Sequence, residues 1–269
     1  MLALDGSFIQ GGLVQGTTEP GTQITLDGGA LRVAADGSFL VGFGRDAKAR
    51  EILVAHFPDG TSETRNLAVK TRKYDIQRVD GLPPAQVTPS PEDMKRIAED
   101  DRAIKAARDR YTDAGWYRAG FAWPAPGPIS GVYGSQRILN GEPRAPHLGV
   151  DIAAPEGTEV HAPAAGQVSL ARPGTFFTGN TVILDHGRGL ATLYAHLSVM
   201  AVREGDSVEK GQVIGRVGKT GRVTGPHLHW AAYLFETRLD PALLVGPIPQ
   251  ANGGGSTATA PGVRESSPR

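Results

Sequence analysis

Glycine and proline interrupt this chain so often that long elements are ruled out over most of it: 36 Gly and 20 Pro stand among 269 residues. The dipeptides Asp27-Gly28, Asp36-Gly37 and Asp59-Gly60 suit hairpin turns, because glycine adopts positive φ without a Cβ clash. Between them run QITL, ALRV, SFLVGF, EILVAHF and TRNLAVK, short alternating or apolar segments of the kind that form strands. Residues 1–73 therefore read as a small all-β unit. The tetrad DGSF occurs twice, at Asp5–Phe8 and Asp36–Phe39, as a repeated hairpin edge or as coincidence. His56, inside an apolar strand, reads as structural.

The pattern changes after the Pro-rich stretch VDGLPPAQVTPSP. Ser90 can cap a helix, Pro91 suits its first position, and Glu92 and Asp93 complement the positive end of its dipole. Met94, Ile97, Ile104 and Tyr111 mark one apolar stripe, so residues 74–115 read as a linker and a solvated helix packed by a single seam. From Trp116 to Pro247 the chain returns to β-structure, and residues 248–269 have the composition of a disordered tail. The expected fold is mainly β: an N-terminal small β-sandwich of the immunoglobulin-like kind, a linking helix, and a C-terminal antiparallel β domain.

Charge and cysteine content narrow the function. Lys and Arg total 28 and Asp and Glu total 28, so no basic field attracts nucleic acid. The absence of cysteine excludes disulfides, thiolate metal sites and cysteine nucleophiles, and leaves His, Asp and Glu as metal ligands. The start, MLALDGSFIQGG, lacks the basic and apolar regions of a leader, and no run of about eighteen apolar residues can span a membrane. If the function requires export, the sequence reads as a mature or trimmed form.

The histidines carry the chemistry. In TGPHLHW, His227 and His229 stand two apart on a strand, on one face and roughly 6.5 Å from each other. PHLGVDIAAPEGTEVHAPAAGQV holds His147 and Asp151, which a straight strand would separate by about 13 Å. Sharing one ion requires a bend, which Gly149 can supply. LYAHLS adds His196. One zinc ion with an open position for water needs three protein ligands: His147, Asp151 and one of the pair His227 and His229, with two histidines left to act beside it. No G-x-S-x-G elbow and no H-E-x-x-H helix offers a competing site.

Over roughly Gly131 to Pro241 the runs YGSQR, HLGVDIAAPEGTEVHAPAAGQV, GNTVILDHGRGLATLYAHLS, VREGDSVEKGQVIGRVGKTGRVTGPHLHW and the dipeptide Asp240-Pro241 closely resemble the LytM or lysostaphin-type zinc metallopeptidases, which cut peptidoglycan cross-bridges. The resemblance implies a metallopeptidase domain over 116–247, with His147, Asp151 and His229 holding one zinc. It makes His227 a catalytic histidine beside the water and His196 its partner. It also implies peptidoglycan as substrate and a periplasmic or cell-envelope location. The companion regions look closer to Gram-negative envelope proteins, which points to D-alanyl–diaminopimelate links rather than glycine bridges. His161 and His186 read as structural, while Asn140 and Glu142 lie near the metal ligands in sequence.

Two other classes remain open at this stage. One is a non-catalytic wall-binding or amidase-activating module on the same fold. The other arises from VREGDSVEKGQVIG, which is similar to half of a lipoyl or biotinyl carrier domain, although no lysine sits in the exposed hairpin context a carrier needs. The N-terminal half supplies no catalytic candidate. It can anchor the chain to an envelope partner, or lie across the groove and limit access, since a tethered segment has a high effective concentration at the site it covers.

Overall fold

The Asp-Gly turns and the runs between them build seven strands: β1 (Ala3–Gly6), β2 (Leu13–Thr17), β3 (Gln23–Leu26), β4 (Gly29–Leu31), β5 (Ser38–Gly42), β6 (Arg50–His56) and β7 (Ser62–Ala68). This is a computed structural model, and it describes residues 1–79, 90–139 and 141–247. The core of the expected linker at 80–89, Asn140 and the tail 248–269 lie outside the described residues. The strands form two sheets, ordered β1-β2-β5 and β4-β3-β6-β7, around a shared core that includes Val14, Ile24, Phe39, Phe43 and Leu53. Asp27 (φ 47°) and Gly28 (φ 83°) make the tight turn between β3 and β4, both in the left-handed region that such hairpins demand. The two DGSF copies take different places: Asp5 and Gly6 end β1, whereas Asp36 and Gly37 lie in the turn before β5. His56 ends β6 with its side chain exposed.

The segment read as linker contains a further strand, β8 (Ile76–Val79), and then α1 (Pro91–Arg108). Ser90 and Asp93 form a reciprocal capping box at the helix start. The seam of α1 differs from the expected stripe. Ile97, Asp100 and Ala107 are buried, whereas Met94 is 53% exposed and Tyr111 lies beyond the helix. Asp100 can occupy the seam because Arg172 Nε (3.1 Å) and the Phe176 backbone N–H (2.8 Å) donate to its carboxylate. A search for apolar periodicity passes over such a residue.

The remaining strands are β9 (Ile129–Gly131), β10 (Gln136–Leu139), β11 (Glu142–Pro143), β12 (Val150–Ile152), β13 (Glu159–His161), β14 (Gly166–Thr175), β15 (Gly179–Asp185), β16 (Leu190–Leu197), β17 (Val199–Met200), β18 (Ser207–Val208), β19 (Val213–Arg216), β20 (Leu228–Leu234) and β21 (Thr237–Leu239). The main sheet runs β18-β14-β15-β16-β20-β12-β9, with β21 also on β20, and its neighbours are antiparallel. Alternation along β20 sends Leu228 and Trp230 into a core shared with the small sheet β13-β19-β17. His229, Ala231 and Tyr233 face the other way. That second face, with Leu170, Ile183, Leu193 and Ala195, receives Ala103, Ile104 and Ala107 of α1.

The N-terminal unit is joined to this domain by more than a tether. β8 pairs in parallel with β10, and Leu40 packs with Tyr117, Leu190, Ala232 and Leu239. Buried Asp240 receives Arg72 Nη1 at 2.7 Å, and its own N–H donates to Gly11 O at 2.8 Å. Among the described residues, no helix is long and apolar enough to cross a membrane.

Candidate metal centre

The register of the main sheet sets Asp151 of β12 directly opposite His229 of β20, so both side chains share the face that also carries α1. His147 precedes β12, and the chain bends at Gly149 to bring it back over its neighbours. A Cβ at Gly149 would stand 2.7 Å from both His229 Cε1 and Trp230 O, so only glycine lets the imidazole lie there. Two backbone bonds hold the returning segment: Gly134 N–H donates to His147 O, and His147 N–H to Ser135 O, each at 2.7 Å.

Three donor atoms converge. His147 Nε2 lies 3.0 Å from Asp151 Oδ1 and 3.0 Å from His229 Nδ1, and the last two are 2.8 Å apart. His147 Nδ1–H donates to Val132 O at 3.1 Å, which leaves a lone pair on Nε2 of the neutral ring. That lone pair faces a carboxylate oxygen, an arrangement that repels unless a cation or a second ring proton intervenes. Ligand atoms of a tetrahedral zinc stand about 3.3 Å apart, given bonds of about 2.0 Å, so the spacing and the donor types fit that ion. His147, Asp151 and His229 are accordingly a group able to hold a metal. Burial pushes the Asp151 carboxyl up, but when the rings of His147 and His229 carry a second proton their hydrogen bonds and charge more than reverse this and hold it well below the usual carboxylate range. Burial pushes His229 down, toward the neutral form a metal requires.

The other two histidines stand beside the trio. His227 precedes β20. Its Nδ1–H donates to Gly225 O at 2.9 Å, and its Nε2 lies 3.8 Å from Asp151 Oδ1. His196 Nδ1–H donates to Thr220 O at 2.9 Å, and its ring centroid is 4.8 Å from that of His227. Each ring therefore ties one nitrogen to a backbone carbonyl and leaves Nε2 for chemistry. Burial lowers the His196 pKa to about 4, with the Thr220 bond opposing the shift. The side chains of His147, Asp151, His227 and His229 retain between 18% and 25% exposure, which admits a ligand.

His196 reaches the site only through an irregularity in β16. Its φ is +63°, and the β15–β16 register slips between the pairs Asn180–Leu197 and Val182–Tyr194. Tyr194 and Leu197 both enter the core on one face, so the extra residue carries His196 to the other face along with Ala195. Strict alternation would have set it beside Tyr194. The irregularity is held by His196 N–H donating to Thr178 O (2.8 Å), and by Asn180 Nδ2 (3.0 Å) and Thr220 Oγ1 (2.9 Å) donating to Leu197 O. Sequence reasoning missed Thr178, Asn180 and Thr220. The only signal was their place in Gly-rich connectors flanking His196.

The remaining candidates lie elsewhere. His186 is fully buried, with Nδ1–H donating to Ala165 O at 2.8 Å and Nε2 hydrogen-bonded to Thr192 Oγ1 at 2.7 Å; burial lowers its pKa to about 4. His161 donates to Gly211 O at 2.9 Å. Glu142 is exposed on β11. Lys210, within the carrier-like segment, is bound to Ala119 O and Gly120 O at 3.2 and 2.9 Å rather than displayed at a hairpin tip.

Comparison with known proteins agrees with this geometry. Residues 145–241 match the family model for peptidase family M23. The chain is 46% identical over 105 residues to DD-carboxypeptidase/endopeptidase Mpg of Neisseria meningitidis serogroup B, covering 39% of this chain and 24% of the relative. It is 48% identical over 86 residues to peptidoglycan DD-endopeptidase ShyA of Vibrio cholerae, covering 32% of this chain and 20% of the relative. The match thus spans no more than a quarter of the length of these curated relatives. A crystal structure of a peptidase M23 from Pseudomonas aeruginosa is similar over far more, with 30% identity, a TM-score of 0.67, and coverage of 88% of this chain and 95% of that one. With both its metal-ligand segments inside the matched region and its architecture shared with that structure over nearly full length, the chain belongs to peptidase family M23.

Proposed function

We propose that the chain is a zinc-dependent endopeptidase that hydrolyses peptide cross-links of bacterial peptidoglycan, at D-alanyl–diaminopimelate bonds, in the cell envelope. The observation that carries the reading is the convergence of His147 Nε2, Asp151 Oδ1 and His229 Nδ1 within 3.0 Å of one another, beside two histidines that keep Nε2 free. The names of Mpg and ShyA support the same reaction class.

His147, Asp151 and His229 would hold one zinc. A bound zinc supplies Lewis acidity, which polarises an amide carbonyl and brings the pKa of a water near neutrality. The chain's own contribution is proton movement. Because Nδ1–H of both His196 and His227 is spent on a carbonyl, each Nε2 first accepts a proton and can then donate it to the departing amine. Burial disfavours charge on His196.

The test is to load the purified chain with zinc, digest isolated peptidoglycan and identify the products by mass. One zinc per chain and conversion of cross-linked dimers to monomers are expected. A chain that binds peptidoglycan without cutting it, with or without zinc, would be a wall-binding or amidase-activating module instead.

A further inference from the structure

His229, Leu193, Tyr233 and Arg238 line one cavity beside the metal ligands. Arg238 also lines a second, of about 450 Å³, against Pro146 and Leu148, which flank His147. This arginine is therefore shared by an opening lined by His229 and one lined by the two residues on either side of His147. It lies on β21 opposite Tyr233, and its backbone carbonyl is fixed by the Tyr133 hydroxyl at 2.8 Å, on the segment whose Val132 carbonyl holds His147.

Among the described residues the charge of Arg238 is not answered: its guanidinium makes no ion pair. Its side-chain contacts are a long bond from Nη1 to the Tyr233 hydroxyl, at 3.3 Å, and a stacking distance of 5.1 Å to that ring. A second guanidinium, that of Arg108 on α1, lies 5.4 Å from the same ring. Arg108 has Asp109 at 3.7 Å, whereas Arg238 has no such partner among the described residues, and a partly desolvated cation beside an aromatic ring favours an anion. Of the acids that line the two openings, Glu236 pairs with Lys105, Asp46 with Arg45 and Asp100 with Arg172, while Glu51 has Lys48 as its cationic neighbour. Asp101 stands on the exposed side of α1.

We infer that Arg238 is a specificity-determining residue that receives a free carboxylate of the substrate next to the scissile amide. The inference rests on the endopeptidase reading above. In a D-alanyl–diaminopimelate link the amide nitrogen is attached to a carbon that bears a carboxylate, and a planar guanidinium pairs such a group through two parallel hydrogen bonds. A glycine bridge offers no carboxylate there. Arg238 thus selects the first linkage over the second, by leaving a half-buried cation unpaired when the carboxylate is missing.

Two soluble cross-linked muropeptide dimers test this, identical except that the carboxylate beside the scissile amide is free in one and amidated in the other. The zinc-loaded wild-type chain should cleave the free acid with a kcat/KM at least about 10-fold higher. Arg238→Gln should lose roughly 10- to 100-fold on the free acid, mainly through KM, and nothing on the amide. Arg238→Lys, which keeps the charge but not the fork, should fall between. Equal loss on both dimers, or no loss on either, overturns the inference. If the wild-type chain cuts neither dimer, the endopeptidase reading fails. Calorimetric binding of the two dimers then decides the role of Arg238: a preference for the acid that Arg238→Gln abolishes supports it, and equal binding overturns it.

Discussion

At Gly149 a single methyl group would collide with the imidazole that faces it. Gly149→Ala is expected to keep the fold yet weaken zinc binding at least about 10-fold, as read by titration against a competing chelator, because His229 must swing out of the trio. The proposed function divides the five side chains of the centre by role. His147→Ala, Asp151→Ala and His229→Ala should each lose most of the metal, while His196→Ala and His227→Ala should keep it and lose hydrolysis by roughly 10² or more. Zinc content and turnover, measured on the same preparations, check the division. Four of these residues stood out in the sequence in two short patterns, H-x-x-x-D and H-x-H, and His196 in the strand-like run LYAHLS, while their division into ligands and catalytic groups came from the family resemblance. The way His196 is delivered was not legible. Its left-handed backbone depends on the register of β15 against β16, which no local pattern encodes.

At the scale of elements, two hairpins announced themselves through Asp27-Gly28 and Asp59-Gly60 and α1 through Ser90, since these signals are local, whereas Asp36-Gly37 turns the chain between β4 and β5, which lie in different sheets. The seam of α1 was misread because its buried polar residue, Asp100, is satisfied by residues more than seventy positions away. The end of β15 and the start of β16 are joined by His186, whose bond to Thr192 makes it part of the sheet. Its folded pKa of about 4 lies below the ordinary value of 6.5, so the unfolded chain binds the proton more tightly. The stability it protects is fully present above about pH 6.5 and declines as pH falls toward 4. Between pH 6.5 and 5 this single group should remove about 2 kcal/mol, seen in urea unfolding as a slope that flattens in His186→Gln.

At the scale of the whole molecule, the N-terminal unit and α1 pack against the domain that carries the site. Removing residues 1–115 uncovers Leu193, Ala231 and Tyr233 on the site face and strips Leu40 from the cluster around Leu239. A chain beginning at Trp116 should melt at lower temperature yet cleave peptidoglycan faster per folded molecule with unchanged zinc content. Equal turnover would assign the N-terminal half to folding or anchoring. The parallel pairing of β8 with β10 escaped the sequence because it joins segments sixty residues apart. The antiparallel pairing of β12 with β20 spans farther still: Asp151 and His229 are 78 residues apart. Closing a loop of that length costs about 4 kcal/mol of chain entropy before any contact repays it, so this pairing belongs to the late part of folding. Until β20 docks, the ligands are scattered along a coil and the centre does not exist. Trp230, buried in that strand 5.6 Å from Trp123, reports the moment. Its fluorescence should recover at the same rate with zinc or chelator present, with metal uptake following it. The centre is therefore absent while the chain is nascent, and the proposed hydrolysis has to wait until β20 has docked against β12.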